Sequence, residues 1–145
     1  MGRGERVLIV ILRISAAVLL LAFPMMLLPV EWMAITHRWL GLGEFPATPL
    51  VDYLTRSISF LYGFHGGLML VAASDIRRYR GVLVYIAVSG IAFGACIIAI
   101  DVHAGLPLYW TLGEGPFIII SAALIGLLLR AVPRDGGLPA PPSGS

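Results

Sequence analysis

The sequence predicts an all-α, four-helix transmembrane bundle with both termini cytoplasmic, and three observations support this class. Of 145 residues, 59% are hydrophobic and 12% are charged, whereas about 25% of the residues of a soluble domain are charged. The chain contains four apolar runs, each close to the ~20 residues that a helix needs to cross a bilayer. The ten basic residues, all of them arginine, lie mainly at one end of those runs.

The apolar runs define one membrane domain over residues 1–132. Its predicted spans cover approximately residues 7–29, 54–73, 81–100 and 116–132. Pro24 is predicted to bend the first span, because proline removes a backbone donor from the helix. A signal peptide is the poorer interpretation of that run, because Arg13 interrupts its apolar stretch. The remainder, residues 133–145, has few apolar side chains to bury and is predicted to be a disordered cytoplasmic tail.

The arginines predict the orientation through the positive-inside rule. Eight of the ten lie near the N-terminus, in the second connection or at the C-terminal flank: Arg3, Arg6, Arg13, Arg77, Arg78, Arg80, Arg130 and Arg134. We therefore expect both termini and the second connection to be cytoplasmic, and residues 30–53 and 101–115 to face the opposite side. The predicted location is the inner (plasma) membrane, with several passes. Trp32, Trp39 and Trp110 fall near the outer interface, where an aromatic belt is expected.

Small residues repeat every four positions in three of the spans. They are Ser59, Gly63 and Gly67 in the second span, Gly90 and Gly94 in the third, and Ala122 and Gly126 in the fourth. Lipid tails give no hydrophobic drive between helices, so close helix packing depends on small side chains. These residues are therefore predicted to form the helix contacts.

The stretch FLYGFHGG places an ionisable His65 near the predicted midplane of the second span. Polar residues at that depth are costly and usually face other helices. Two interpretations stay open. His65 is either a neutral imidazole that hydrogen-bonds to a neighbouring helix, for example to Ser89, or a proton-relay or ligand residue. Tyr62, one turn earlier, is a candidate partner in both cases.

A polar cluster is predicted at the outer ends of the spans. Its members are Arg56, Asp101, His103 and Glu114. One interpretation makes Glu114 a cap of the fourth helix, because Pro116 suits a first helical turn and acids favour helix N-termini. The other brings Arg56, Asp101 and Glu114 together as an ion-paired cluster. Such a cluster either binds a ligand headgroup or locks the helix ends together.

The spacing of the chemically active residues predicts no cofactor and no metal. His65 and His103 should differ by roughly 14 Å along the membrane normal, which argues against bis-histidine ligation of haem. Motifs of the CxxC or HExxH type are absent from the sequence. No nucleophile and base can be paired from spacing, so the sequence favours a protein that is not an enzyme.

Four segments together carry a resemblance: HRWLGLGEFP, YLTRSISFLYGFHGG, ASDIRRYR and DVHAGLPLYWTLGEGP. Their arrangement resembles that of small four-span bacterial membrane proteins with no established activity. The resemblance covers nearly the whole chain and implies a location and an architecture only.

The sequence favours a non-enzymatic accessory or assembly subunit, whose polar cluster holds the helices or a partner. Membrane lipids and either a second copy or another membrane protein are the expected partners, and a net charge of +2 does not suggest nucleic acid. The alternative is a minimal transporter or ligand-binding protein. In that protein Asp101, Glu114, Arg56 and His65 would line a route from the outer face.

Overall fold

The structure is a computed structural model that describes residues 2–133, and every regular element in that range is a helix. The elements are α1 (Arg3–Leu20), α2 (Ala22–Met26), α3 (Val30–Trp39), α4 (Pro49–Ser74), α5 (Arg80–Ala104) and α6 (Leu108–Arg130). Four segments are long and apolar enough to cross a membrane: Arg3–Met26, α4, α5 and α6. The all-helical class and the four apolar helices are therefore confirmed. The predicted disordered tail lies outside the described residues from position 134 onward.

The first span is interrupted at Leu21, between α1 and α2. The Leu21 amide donates to the carbonyls of Ala17 and Val18, both at 3.2 Å. Pro24 follows within one turn and has no amide hydrogen to donate to Leu20, the last residue of α1. The helix is therefore interrupted directly after Leu20, whose carbonyl would accept a hydrogen bond from residue 24 if that residue were not proline.

The connection after the first span contains the short helix α3, and the loop that follows α3 is tied to its surroundings. The Tyr109 hydroxyl of α6 donates to the carbonyl of Leu40. The Nδ1 atom of His37 lies 3.0 Å from the carbonyl oxygen of Gly43. Gly41 and Gly43 have φ values of +70° and +87°, a backbone region that glycine enters without steric cost.

Helices α4 and α6 begin earlier than predicted. α4 begins at Pro49, with the Thr48 hydroxyl accepting a hydrogen bond from the amide of Val51. α6 begins at Leu108, so Pro116 lies inside the helix. Interior proline is tolerated in a membrane helix where neighbouring groups satisfy the freed backbone carbonyl. The interpretation of Glu114 as a cap is wrong, because Glu114 also lies inside α6.

The helices contact one another in the order α4, α1, α6, α5. α5 packs along α6, α1 packs on both α4 and α6, and α2 extends the contact with α4. Gly4 lies beside Ala131, and Glu5 is ion-paired with Arg77. The two ends of the described chain and residues 75–79 therefore lie together, at what we call the arginine end. The opposite end, with residues 40–48 and 105–107, is called the loop end.

The apolar core lies toward the arginine end. Its fully buried large side chains come from three helices: Leu8 and Leu12 of α1, Leu83 of α5, and Ile125 and Leu129 of α6. α4 contributes Met69, Ala72 and Ala73 to the same cluster, which also includes Ile76 and Val132. All four spans therefore meet in this half of the molecule.

Glycine brings the backbones of α5 and α6 into direct contact. A Cβ atom at Gly94 would lie 2.8 Å from the carbonyl oxygen of Gly115, and one at Gly115 would lie 2.9 Å from that of Gly94. A Cβ at Gly90 would meet the Cβ of Ala122 at 2.8 Å, and one at Gly126 would make an ordinary contact with Ala87. The small residues singled out in the third and fourth spans all lie at this interface.

The contact between α1, α2 and α4 uses a different set of small residues from the one predicted. A Cβ at Gly63 would lie 2.5 Å from the ring of Phe23, and one at Gly66 would lie 2.9 Å from the carbonyl oxygen of Ala16. A Cβ atom at Gly67 would meet no neighbouring atom within 4 Å, and Ser59 is half-buried one turn before Gly63. Gly67 therefore does not belong to the contact, and Gly66 takes its place.

The crowding at Gly94 predicts that Gly94→Ala will destabilise the protein by about 1 to 3 kcal/mol, because the new methyl group is forced against a backbone carbonyl. The matched control is Gly67→Ala, which adds the same group to open space. It should be neutral, or stabilising by up to about 1 kcal/mol through helix propensity. Unfolding free energies from titration of mild detergent with sodium dodecyl sulfate would compare the two. Equal stability of both variants would contradict the described contact.

Candidate functional site

The structure divides the predicted outer cluster, and Arg56 belongs to a separate contact. Its Nε atom donates to Oδ1 of Asp52 at 2.9 Å, one turn earlier on α4. Its guanidinium also donates to the backbone carbonyl of Met26 at 2.5 Å. Met26 ends α2 and its carbonyl has no partner within the helix, so a cation is a favourable donor there. Arg56 thus fastens α4 to the end of the first span.

His103 also lies apart from the other predicted cluster residues. It is exposed in the last turn of α5, just before Gly105 ends the helix with a φ of +69°. A histidine side chain in the last turn suits the C-terminal end of a helix. His103 therefore faces outward at the loop end.

Asp101 is the buried member of the cluster, with 3% of its surface exposed. The antiparallel register places Ile98 of α5 against Gly115 of α6. One turn further toward the loop end, Asp101 is level with Thr111, which is also buried. Within residues 2–133, Oδ2 of Asp101 is the fully buried side-chain polar atom that has no hydrogen-bond partner.

Glu114 lies on α6 beside Asp101, and the two carboxylates interact electrostatically. We call Asp101 and Glu114 the acidic pair. The Trp110 indole, one turn before Glu114 on α6, and Tyr62 of α4 both lie within electrostatic range of its carboxylate. The structure therefore joins Tyr62, which the sequence grouped with His65, to the acidic pair.

His65 is half-buried on α4. The hydrogen bonds of the described residues do not include one between His65 and Ser89, and the Ser89 hydroxyl donates to the carbonyl of Tyr85 within α5 at 2.7 Å. α4 and α5 also make few contacts along their lengths. In both interpretations, the His65 side chain therefore has no hydrogen-bond partner on α5.

An ion pair at the arginine end was not predicted from the sequence. Nε and Nη2 of Arg77 donate to Oε1 of Glu5 at 3.1 and 2.6 Å, and the Gly2 amide donates to Oε2 at 2.9 Å. The Glu5 side chain is 4% exposed. This pair ties the start of α1 to the connection between α4 and α5. The available signal was an acid, Glu5, within the arginine-rich flank of the first span.

Two surface clefts accompany the arginines. One, of about 440 Å³, lies at the arginine end between Arg80 and Arg130, where Arg80 donates to the carbonyl of Val132 at 3.1 Å. The other, of about 400 Å³, lies between Arg56 and Phe60 near the loop end. Each cleft therefore places arginine beside apolar side chains.

No family model, curated protein or solved structure matches the chain. Within the described residues, no group of three or more histidine, cysteine or acidic side chains is placed to hold a metal ion. The resemblance to small four-span bacterial proteins stays an expectation. Functional assignment therefore depends on the contacts described above.

The Glu5–Arg77 contact predicts coupled losses of stability. Glu5→Gln and Arg77→Gln should each destabilise the protein, and Arg77→Gln more so because it removes the guanidinium that donates two hydrogen bonds to the buried Glu5 carboxylate. The double variant should be less destabilised than the sum of the single variants. Arg78→Gln is the matched control, since Arg78 is exposed and stacks on Tyr79. Detergent unfolding of all four would measure the coupling, and strictly additive losses would argue against the pair.

Proposed function

We propose that this chain is a small multi-pass protein of the inner (plasma) membrane that acts as a non-enzymatic accessory or assembly subunit. In this proposal the four spans form a bundle with both termini in the cytoplasm. The arginine end then faces the cytoplasm, as the positive-inside rule requires. The loop end, with its three tryptophans, faces the opposite side.

The observation that carries the proposal is the use of charged side chains to join helices. Arg56 binds the carbonyl of Met26 and holds α4 to α2. Arg77 binds Glu5 and holds the α4–α5 connection to α1. Arg80 binds the carbonyl of Val132 and holds the start of α5 to the end of α6. Groups that could otherwise bind a substrate are thus engaged in keeping the spans in fixed positions.

A fixed arrangement of spans suits a protein that presents a surface to another transmembrane helix. On α5, the side opposite Gly90 and Gly94 is exposed and also contains small residues: Ala92, Ala95, Cys96 and Ala99. Small side chains allow close helix approach in lipid, as they do between α5 and α6. Tyr85 and Val88, which are 72% and 66% exposed, continue this side toward the arginine end. The partner proposed for this face is a transmembrane helix of another membrane protein.

The alternative, a minimal transporter, is supported by a smaller part of the structure. Asp101, Glu114 and Tyr62 lie together in the half of the molecule near the loop end. Arg56 is engaged elsewhere, and His65 gains no partner from α5. The residues proposed to line a route thus lie in separate places, so we prefer the accessory role.

The proposed orientation predicts the labelling of two positions in intact cells. Cys96→Ala removes the native thiol, and single cysteines are then introduced as Arg78→Cys at the arginine end and Glu44→Cys at the loop end. Both native side chains are exposed. A membrane-impermeant thiol reagent added outside should label position 44 and spare position 78 until the membrane is opened. The reverse pattern would contradict the orientation.

The proposed partner helix predicts a position-dependent crosslink in native membranes. A photo-crosslinking phenylalanine analogue at Tyr85 should give one protein adduct of defined mass. The same analogue at Phe117, which is 60% exposed on α6, is the matched control and should react mainly with lipid. Ala92→Leu should abolish the adduct at position 85 by holding the partner away. An adduct that survives Ala92→Leu, or that forms equally at position 117, would reject the α5 face as the interface.

A further inference from the structure

The side chain of Asp101 is the buried group that the proposed accessory role does not use. It is 97% buried between α5 and α6, since only 3% of its surface is exposed, and its Oδ2 atom has no hydrogen-bond partner. A carboxylate oxygen in that condition has lost its water without gaining a donor, which is strongly unfavourable for the ionised form. A ligand that satisfies this oxygen is therefore expected.

The groups around Asp101 increase this demand. From α6 it faces Glu114, a second acid, and is level with Thr111. From α4, Tyr62 approaches Glu114 and brings a neutral hydroxyl. On α5 itself, His103 follows two residues later and is exposed. Three arginines of the described residues form ion pairs with other acids: Arg38 with Glu44, Arg56 with Asp52, and Arg77 with Glu5.

Two neighbouring carboxylates, of which Asp101 is buried and Glu114 is half-buried, cannot both be ionised at low cost. Their mutual repulsion is strong where the dielectric constant is low, and such pairs titrate as one unit that retains a single proton. A proton needs only one oxygen to bind and a second to receive its hydrogen bond. Calcium needs six to eight oxygen ligands, more than two carboxylates provide.

We propose that Asp101 and Glu114 form a proton-binding site, in which the acidic pair holds one exchangeable proton at neutral pH. The proton is transferred from hydronium in the water at the loop end: one O–H bond of hydronium breaks, one O–H bond forms on one of the two carboxylates, and a water molecule is released. The pair then carries one negative charge instead of two. This inference does not depend on the accessory role, because it rests on the contact of α5 with α6 alone.

Infrared spectroscopy of the full chain in lipid nanodiscs tests the proposal directly. A protonated carboxyl group has a C=O band that ionised carboxylates lack. Wild-type protein should show this band at neutral pH, and the double variant Asp101→Asn/Glu114→Gln should lose it. Each single variant should lose the band at a pH lower by about one unit or more, because the neighbouring charge is gone. Glu44→Gln, which changes an exposed acid, is the control and should leave the band unchanged.

Two spectroscopic results would overturn the proposal. One is the absence of a protonated carboxyl at neutral pH in wild-type protein. The other is a titration midpoint that is the same in wild-type protein and in both single variants, since the two carboxyls would then be uncoupled. Exchange of choline chloride for sodium chloride at constant ionic strength should leave the band in place. Loss of the band in sodium would assign the site to sodium and reject the proton.

A second measurement does not require the spectroscopic band. If the folded protein binds one proton more than the unfolded chain near neutrality, stability must rise as the pH falls. The unfolding equilibrium constant should then decrease about tenfold for each unit by which the pH is lowered. The double variant should lack this dependence, provided that it folds. A wild-type stability that is flat across neutral pH, or that increases with pH, would overturn the proposal independently of any variant.

Discussion

The direct contact between the backbones of α5 and α6 is the constraint on which the rest of the structure depends. Gly94 and Gly115 face each other with each carbonyl less than 3 Å from where the opposing Cβ would stand. In lipid, where apolar side chains gain little from leaving their surroundings, such close contact supplies much of the attraction between helices. It also fixes the register of the two helices, and the register in turn places Asp101 level with Thr111.

Polar side chains perform two different tasks along the bundle. At both ends, arginines satisfy acids or backbone carbonyls that the hydrocarbon would leave unpaired, as Arg56 does at Met26 and Arg77 does at Glu5. These contacts reduce the cost of ending helices near a membrane boundary. The acidic pair differs because it brings like charges together. A ligand that reduces the repulsion between these two charges would therefore stabilise the protein most at this position.

The two halves of the molecule are built differently. The arginine end contains the large buried aliphatic side chains, such as Leu83 and Leu129, to which all four spans contribute. Toward the loop end the buried positions of α5 and α6 are glycine, threonine and aspartate. A region with more buried apolar contacts is locally more rigid. The arginine end therefore serves as the stable base, and the loop end contains the acidic pair.

The sequence by itself determined the helical class, the four apolar spans and the small residues of α5 and α6, because these depend on hydropathy and local spacing. It did not determine that α6 begins before Pro116, since Gly113 and Glu114 interrupt the apolar run although the helix continues through them. Nor did it distinguish Gly66 from Gly67, which depends on how α4 is rotated against α1. Only the tertiary structure brought Arg56 to the carbonyl of Met26 and left Asp101 with Glu114. Helices that are distant in sequence decide which charges meet, and no local pattern records their order of packing.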